Sequence, residues 1–241
     1  MNVDGTSHVL DAAASLGLRR VVAVSTGTFF DTSGGVERED APVSKEPGND
    51  PYTVTKMAAF EDAMARAADG YDVVTTHPGA IFGPSPVVSN ALGVTSFNRV
   101  LVSALRQRMD RYLRFPVSWV FADDVAGGCL LALDRGVSGE RYMLDGRPED
   151  VVSIAQACSR ACELAGLDHR VVDIEPSDDP ELARVYGPTL VAIAKKAASD
   201  RRIRRGLEES KTFQRLGYEP ISLDAGLLAT SEWLRAIGKV A

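Results

Sequence analysis

The chain has 241 residues, long enough for one large domain or two small ones. Hydrophobic residues make up 45%, enough for a buried core, and the net charge is −6 with the basic residues scattered. That balance argues against nucleic acid and against an anionic membrane surface as partners. One basic cluster, Arg201-Arg202-Ile203-Arg204-Arg205, sits among Asp200, Glu208 and Glu209 and reads as a solvated helix face.

Three cysteines, Cys129, Cys158 and Cys162, do not make a disulfide framework. Cys158 and Cys162 share one helical face and read as small buried residues in a reducing compartment. No apolar run approaches a membrane span. Residues 1–6 lack the basic and apolar regions of a signal peptide, so the expected location is the cytoplasm. His8, His77 and His169 are isolated, and no metal site is expected.

In chain order, residues 4–16 read as a helix with Val9, Leu10, Ala13 and Leu16 on one stripe, ended by Gly17. The run from Val21 to Val24 reads as a strand buried on both faces. Ser25-Thr26-Gly27-Thr28 follows its carboxyl end, where open α/β sheets bind ligands. Residues 31–50 are polar and rich in Gly and Pro, a loop long enough to suggest function or mobility. A helix then runs from Asp50 to about Ala68, with Asp50 as N-cap and Pro51 in the first turn. Residues 71–76 are a second buried strand, followed by His77-Pro78-Gly79-Ala80-Ile81-Phe82-Gly83-Pro84. The alternation predicts βαβ units in a parallel sheet.

Beyond Pro84 the pattern predicts a helix over 89–109, a strand over 115–121 and a helix capped by Asp123-Asp124. It continues with a strand at 140–144, an amphipathic helix at 150–166 and a strand at 170–174. Residues 178–209 are mostly helical. Ser222 caps a last helix that carries Leu227, Leu228 and Trp233 inward.

Tyr52 and Lys56 stand four apart and share one helical face. An ammonium held near a phenol hydroxyl favours the phenolate, which suits general acid–base work. The spacing alone is common, and its bland reading is an exposed helix start with a packed aromatic.

Five segments in order raise its weight: Asn2-Val3-Asp4-Gly5-Thr6, the strand from Val21 to Thr26, Tyr52-x-x-x-Lys56, Pro78-Gly79-Ala80-Ile81-Phe82-Gly83-Pro84, and Trp119 to Ala126 followed by Gly139-Glu140-Arg141-Tyr142. Leu216-Gly217-Tyr218-Glu219-Pro220 adds a sixth. With these the chain resembles the extended short-chain dehydrogenase/reductases, the NAD-dependent epimerase/dehydratase family, and within it the dihydroflavonol-reductase-like carbonyl reductases.

The resemblance implies an α/β fold, a Rossmann-like parallel sheet with helices on both faces and a smaller mixed α/β region. It implies a cofactor domain over 1–83 and 115–146, and a substrate region over 84–114 and 147–241. The implied activity is NAD(P)-dependent oxidation or reduction of a small carbonyl or alcohol. Tyr52 would exchange the proton, Lys56 would hold the nicotinamide ribose, and Thr26 would orient the substrate oxygen, with Ser25 its substitute. Pro78, Gly79, Ala80 and Ile81 would border the nicotinamide. Family members often dimerise through two helices, here 4–16 and 52–67.

Two departures bear on the substrate. The family's dehydratases place Asp-Glu where Gly27-Thr28 stand, and its sugar-nucleotide epimerases commonly carry Asn where Ala80 stands. A sugar-nucleotide epimerase and a non-catalytic nucleotide-binding scaffold remain the alternatives. The family's opening strand, glycine-rich turn and helix are also missing, a stretch of roughly 60–80 residues at βαβ lengths. The expectation is a fragment of a longer enzyme begun at an internal methionine. A genuine truncation is the second explanation, and a partner that supplies the missing half is a third, for which nothing in the sequence argues. Either of the first two takes neighbours from the strands at 20–25 and 71–76 and leaves an exposed sheet edge, and the 241-residue chain is expected to be poorly soluble or inert with NAD(P)H. The choice between NAD and NADP is not written in these residues.

Overall fold

A computed structural model describes residues 2–36, 38–45, 50–198 and 205–241. The elements are α1 (Asn2–Ser15), β1 (Arg20–Val24), α2 (Pro51–Ala68), β2 (Asp72–Pro78), β3 (Ala80–Phe82), α3 (Val88–Ala91) and α4 (Phe97–Leu105). Then come β4 (Arg111–Leu113), β5 (Pro116–Phe121), α5 (Ala122–Arg135), β6 (Arg141–Leu144), β7 (Val151–Ser153) and α6 (Ile154–Leu164). Last are β8 (Val172–Ile174), α7 (Pro180–Tyr186), α8 (Pro188–Ala198), α9 (Lys211–Leu216) and α10 (Leu223–Ala236).

The chain divides into two compact units. The first takes residues 1–79, 124–144 and 201–219. Its sheet has the order β1-β2-β6, parallel throughout, with Val22 opposite Val74 and Thr76 opposite Tyr142. β2 lies in the middle and is buried along nearly its whole length, as its unbroken apolar and β-branched run requires. α1 and α2 cover the sheet through Leu10, Ala63 and Val73. Phe29, Phe30, Ala41, Phe60 and Met143 form a second cluster. Gly128 brings α5 against β6, because a Cβ there would meet Leu144 Cδ2 at 2.5 Å.

β1 departs from its expected burial. It is half-buried, and Val24 is 50% exposed. Among the described residues its strand partner is β2, so one backbone edge is free. The expectation that 71–76 also lacks a neighbour fails, because β6 fills that side. On α1, Leu10 and Ala13 turn inward, while Val9 and Leu16 of the expected stripe are exposed.

The second unit takes residues 80–123, 145–200 and 220–241. β5 pairs parallel with β3 and antiparallel with β7, and β4 pairs parallel with β8. Its core includes Phe82, Leu101, Trp119, Ile154, Cys158 and Leu227. The expected cut placed 115–146 wholly with the first unit. The structure instead sets 116–121 beside 80–82 and 151–153, and returns 205–219 of the C-terminal half to the first unit.

Several element boundaries also move. The helix expected over 89–109 breaks into α3 and α4, because Ser96 caps α4 through the Asn98 N–H. Asp123 and Asp124 lie inside the first turn of α5 rather than capping it. The expected 150–166 helix starts at Ile154, behind a capping box of Ser153 and Gln156. The helical stretch at 178–209 is divided by Gly187-Pro188, and residues 199–204, with most of the basic cluster, fall outside the described residues. Ser222 does cap α10, but Leu228 faces outward at 42% exposure.

Candidate active site

The carboxyl end of β1 and the first two turns of α2 carry Ser25, Thr26, Tyr52 and Lys56, all in the first unit. The Asp50 carboxylate accepts from the Thr53 N–H at 2.9 Å, and Pro51 follows where a missing N–H is harmless. This start fixes the helix phase. Thr53 is buried, with its hydroxyl 3.4 Å from that of Thr28, and Tyr52 is therefore turned outward at 52% exposure. One turn on, Lys56 Nζ donates to the Val24 carbonyl at 3.3 Å. An ammonium has three N–H donors, and among the described residues Val24 takes one. Thr26 stands two residues beyond Val24 and is buried.

The stretch from Ser25 to Gly27 is tightly held. The Ser25 N–H donates to the Thr76 carbonyl at 2.8 Å, which extends the β1–β2 ladder by one step. The Ser25 hydroxyl oxygen is buried without a hydrogen-bond partner. A Cβ at Gly27 would lie 2.7 Å from Arg38 Nη1 and 2.9 Å from Met143 Cε, so a side chain there would push both of these long side chains aside.

A cavity of about 290 Å³ lies between β1, α1 and α2, lined by consecutive residues from Val21 to Ser25 and by Lys56, Thr6, Val9 and Phe60. The unpaired Ser25 hydroxyl and the spare Lys56 donors could take the hydroxyls of a ribose. Nothing in the lining resembles a pyrophosphate cradle, because Lys56 is its one cation and no glycine-rich turn opens onto it. These residues fit the nicotinamide-ribose end of a dinucleotide.

Pro78 ends β2 opposite Leu144, and Gly79 N–H donates to the Leu144 carbonyl at 3.1 Å. Ala80 and Ile81 open β3 in the second unit, with Ala80 buried and Ile81 42% exposed. There Asn98 clasps Gly83, accepting its N–H at 2.9 Å and donating to its carbonyl at 2.8 Å.

Sequence reasoning gave no site role to Asn98, Glu39, Arg141 or His77. Glu39 is buried and accepts from the Lys211 and Thr212 N–H groups at 2.8 and 3.1 Å and from the Thr212 hydroxyl. Arg141 donates to the carbonyls of Glu39 and Ala41 at 2.7 and 2.5 Å and lies 4.1 Å from the Phe30 ring centre. The described part of the 31–50 loop is thus fastened to the sheet and to α9. A charged residue inside a loop rich in turn residues was the available signal. Among the described residues no group of three or more His, Cys, Asp or Glu is placed to hold a metal ion, and no helix is long and apolar enough to cross a membrane.

The profile of the NAD-dependent epimerase/dehydratase family matches residues 1–145, more than half of the chain. Sterol demethylase protein B of Methylococcus capsulatus is 28% identical over 250 residues, covering 100% of this chain and 74% of that protein. A ketoreductase of Stigmatella aurantiaca, acting on a farnesylated 3-oxo-dihydroquinoline oxide by its name, is 31% identical over 63% of this chain and 45% of its own length. The fold is that of dTDP-glucose 4,6-dehydratase from Bacillus anthracis, solved with NAD, at a TM-score of 0.71 and 20% identity, over 99% of this chain and 68% of that one. The chain therefore belongs to the NAD-dependent epimerase/dehydratase family and has its Rossmann-like α/β fold.

Proposed function

We propose that this chain carries the proton-transfer part of an NAD(P)-dependent oxidoreductase acting on a small carbonyl or alcohol. The observation that supports it most is the Lys56 ammonium seated on the Val24 carbonyl, one helical turn from Tyr52 and at the same strand end as Thr26. When bound, the nicotinamide cofactor supplies or accepts the hydride. Tyr52 gives a proton to the substrate oxygen in reduction and takes it back in oxidation. Thr26 orients that oxygen by a hydrogen bond. Lys56 holds a cationic field beside Tyr52 and binds ribose hydroxyls with its remaining donors. Pro78 and Gly79, with Ala80 and Ile81 after them, border the nicotinamide.

In the same reading the first unit serves cofactor and chemistry, and the second selects the substrate. A homodimer would use α1 and α2, whose Val9 and Val54 are exposed. The three free thiols accord with a reducing compartment such as the cytoplasm.

The test uses the protein expressed from its complete reading frame, with NADPH or NADH and a small ketone or aldehyde. Tyr52→Phe should lower kcat by about 10²–10⁴, the usual weight of a general acid, while cofactor binding persists. Wild-type turnover by this variant would remove Tyr52 from its role.

A further inference from the structure

β1 and β2 run in regular parallel register up to Val24 opposite Thr76. The next bond, from the Ser25 N–H to the Thr76 carbonyl, is still made. The step after that would ask residue 78 for an N–H. Residue 78 is proline and has none. The ladder stops there, one residue before Thr26 completes its turn.

A side chain takes over where the ladder ends. His77 is fully buried at the last turn of β2, and its Nδ1 lies 2.8 Å from the Thr26 carbonyl oxygen. A carbonyl oxygen only accepts, so Nδ1 carries the proton. Nε2 lies 3.0 Å from the Thr75 hydroxyl, which donates to it in that tautomer. The ring is fenced by Phe30, Phe60 and Phe29, with centre-to-centre distances of 5.1, 5.4 and 6.1 Å. A close-packed aromatic fence permits few other ring orientations. Both ends of the imidazole are thus specified, one by a hydroxyl on its own strand and one by the backbone of the residue assigned to the substrate oxygen.

We propose that His77 is a positioning residue for the reaction: its Nδ1–H fixes the Thr26 carbonyl just past the end of the ladder, and so sets the direction of the Thr26 hydroxyl. The proposal rests on the assignment of Thr26, Tyr52 and Lys56 to the active site. His77 does not touch the reacting atoms and transfers no proton.

Nitrogen-15 NMR of histidine-labelled protein tests the bond without turnover. His77 should give the Nδ1–H tautomer with a slowly exchanging ring proton. An Nε2–H tautomer or a rapidly exchanging ring overturns the proposal. The kinetic arm uses NADPH with benzaldehyde as probe, in the protein expressed from its complete reading frame. His77→Phe fills the aromatic fence but donates nothing, and should lower kcat about 10–100-fold, the scale of a small misplacement of a reacting group, with KM little changed. His77→Asn puts an amide N–H near the Nδ1 position and should recover most of that loss. His77→Gln puts its amide nearer the Nε2 position and should not. The Asn and Gln pair decides the question if the Phe variant fails to fold. Wild-type kcat in His77→Phe, or an Asn variant no better than the Gln variant, refutes positioning. Unimpaired turnover by Tyr52→Phe refutes the site assignment instead, and leaves the NMR result as a separate fact about the His77 bond.

Discussion

Replacing Glu39 with glutamine alters one charge and no shape, at a point where three donors converge. The carboxylate takes the first two N–H groups of α9 and the Thr212 hydroxyl in a buried setting. The negative charge also meets the positive end of a helix, although α9 is short. Hydrogen bonds to a charged acceptor are worth about 1.5–3 kcal/mol each, and a buried donor left unmatched costs about 1–3 kcal/mol. Glutamine keeps one acceptor oxygen and turns its NH2 toward a donor, so the expected loss is about 2–4 kcal/mol. For a chain of this size that corresponds to a fall in Tm of about 5–12 °C. Thr212→Val, which deletes the hydroxyl alone, should cost about 1 kcal/mol. Urea denaturation followed by circular dichroism measures both. A Glu39→Gln protein within about 0.5 kcal/mol of wild type, the ordinary range for surface changes, would refute the reasoning. So would a Thr212→Val protein that loses as much as Glu39→Gln.

Burial pushes the Cys158 thiol well above the ordinary range and raises that of Cys162, so iodoacetamide should label Cys129 in the folded protein and reach the other two only after denaturation. Peptide mapping that finds native Cys158 or Cys162 modified would contradict their place in the core. The Arg160 guanidinium holds the Asp224 carboxyl below its usual range. A depressed carboxylate contributes stability above its unfolded pKa and loses it as pH falls through the folded one. Because the pair is largely open to solvent, that contribution is under about 1 kcal/mol. Asp224→Asn should therefore lower Tm slightly at neutral pH and not at all near pH 2, and an equal deficit at both would contradict the ion pair.

The sheet strands were legible wherever burial is two-sided. The run from Val73 to Thr76 has the apolar and β-branched content of a central strand and became one. Helix starts were legible when a single side chain settles them, as with Asp50 and Ser222. That Tyr52 and Lys56 lie one turn apart on the same helix could be read from spacing, since helical periodicity is a local property. What stayed hidden depends on partners far along the chain. Glu39 meets Thr212 across 173 positions, and His77 meets Thr26 across 51. No periodicity encodes such contacts. The cut between units was misplaced for the same reason: the apolar run at 116–121 pairs with 80–82 and 151–153, a matter of topology rather than local pattern. Leu227, Leu228 and Trp233 were all assigned inward from the helix pattern; Leu227 lies in the core of the second unit and Trp233 packs against it, while Leu228 is exposed.

The one-sided pairing of β1 also sets an order of opening within the first unit. A strand bonded along both edges gives up all of its amides only when both neighbours part from it, whereas β1 need only separate from β2. Lys56 holds the last carbonyl of β1 from the helix above, so that strand end and the ammonium come loose together. Solvent deuterium should therefore enter β1, and the β2 amides that face it, before the β2 amides bonded to β6. A local fluctuation too small to unfold the unit is still large enough to take Lys56 and Thr26 out of alignment.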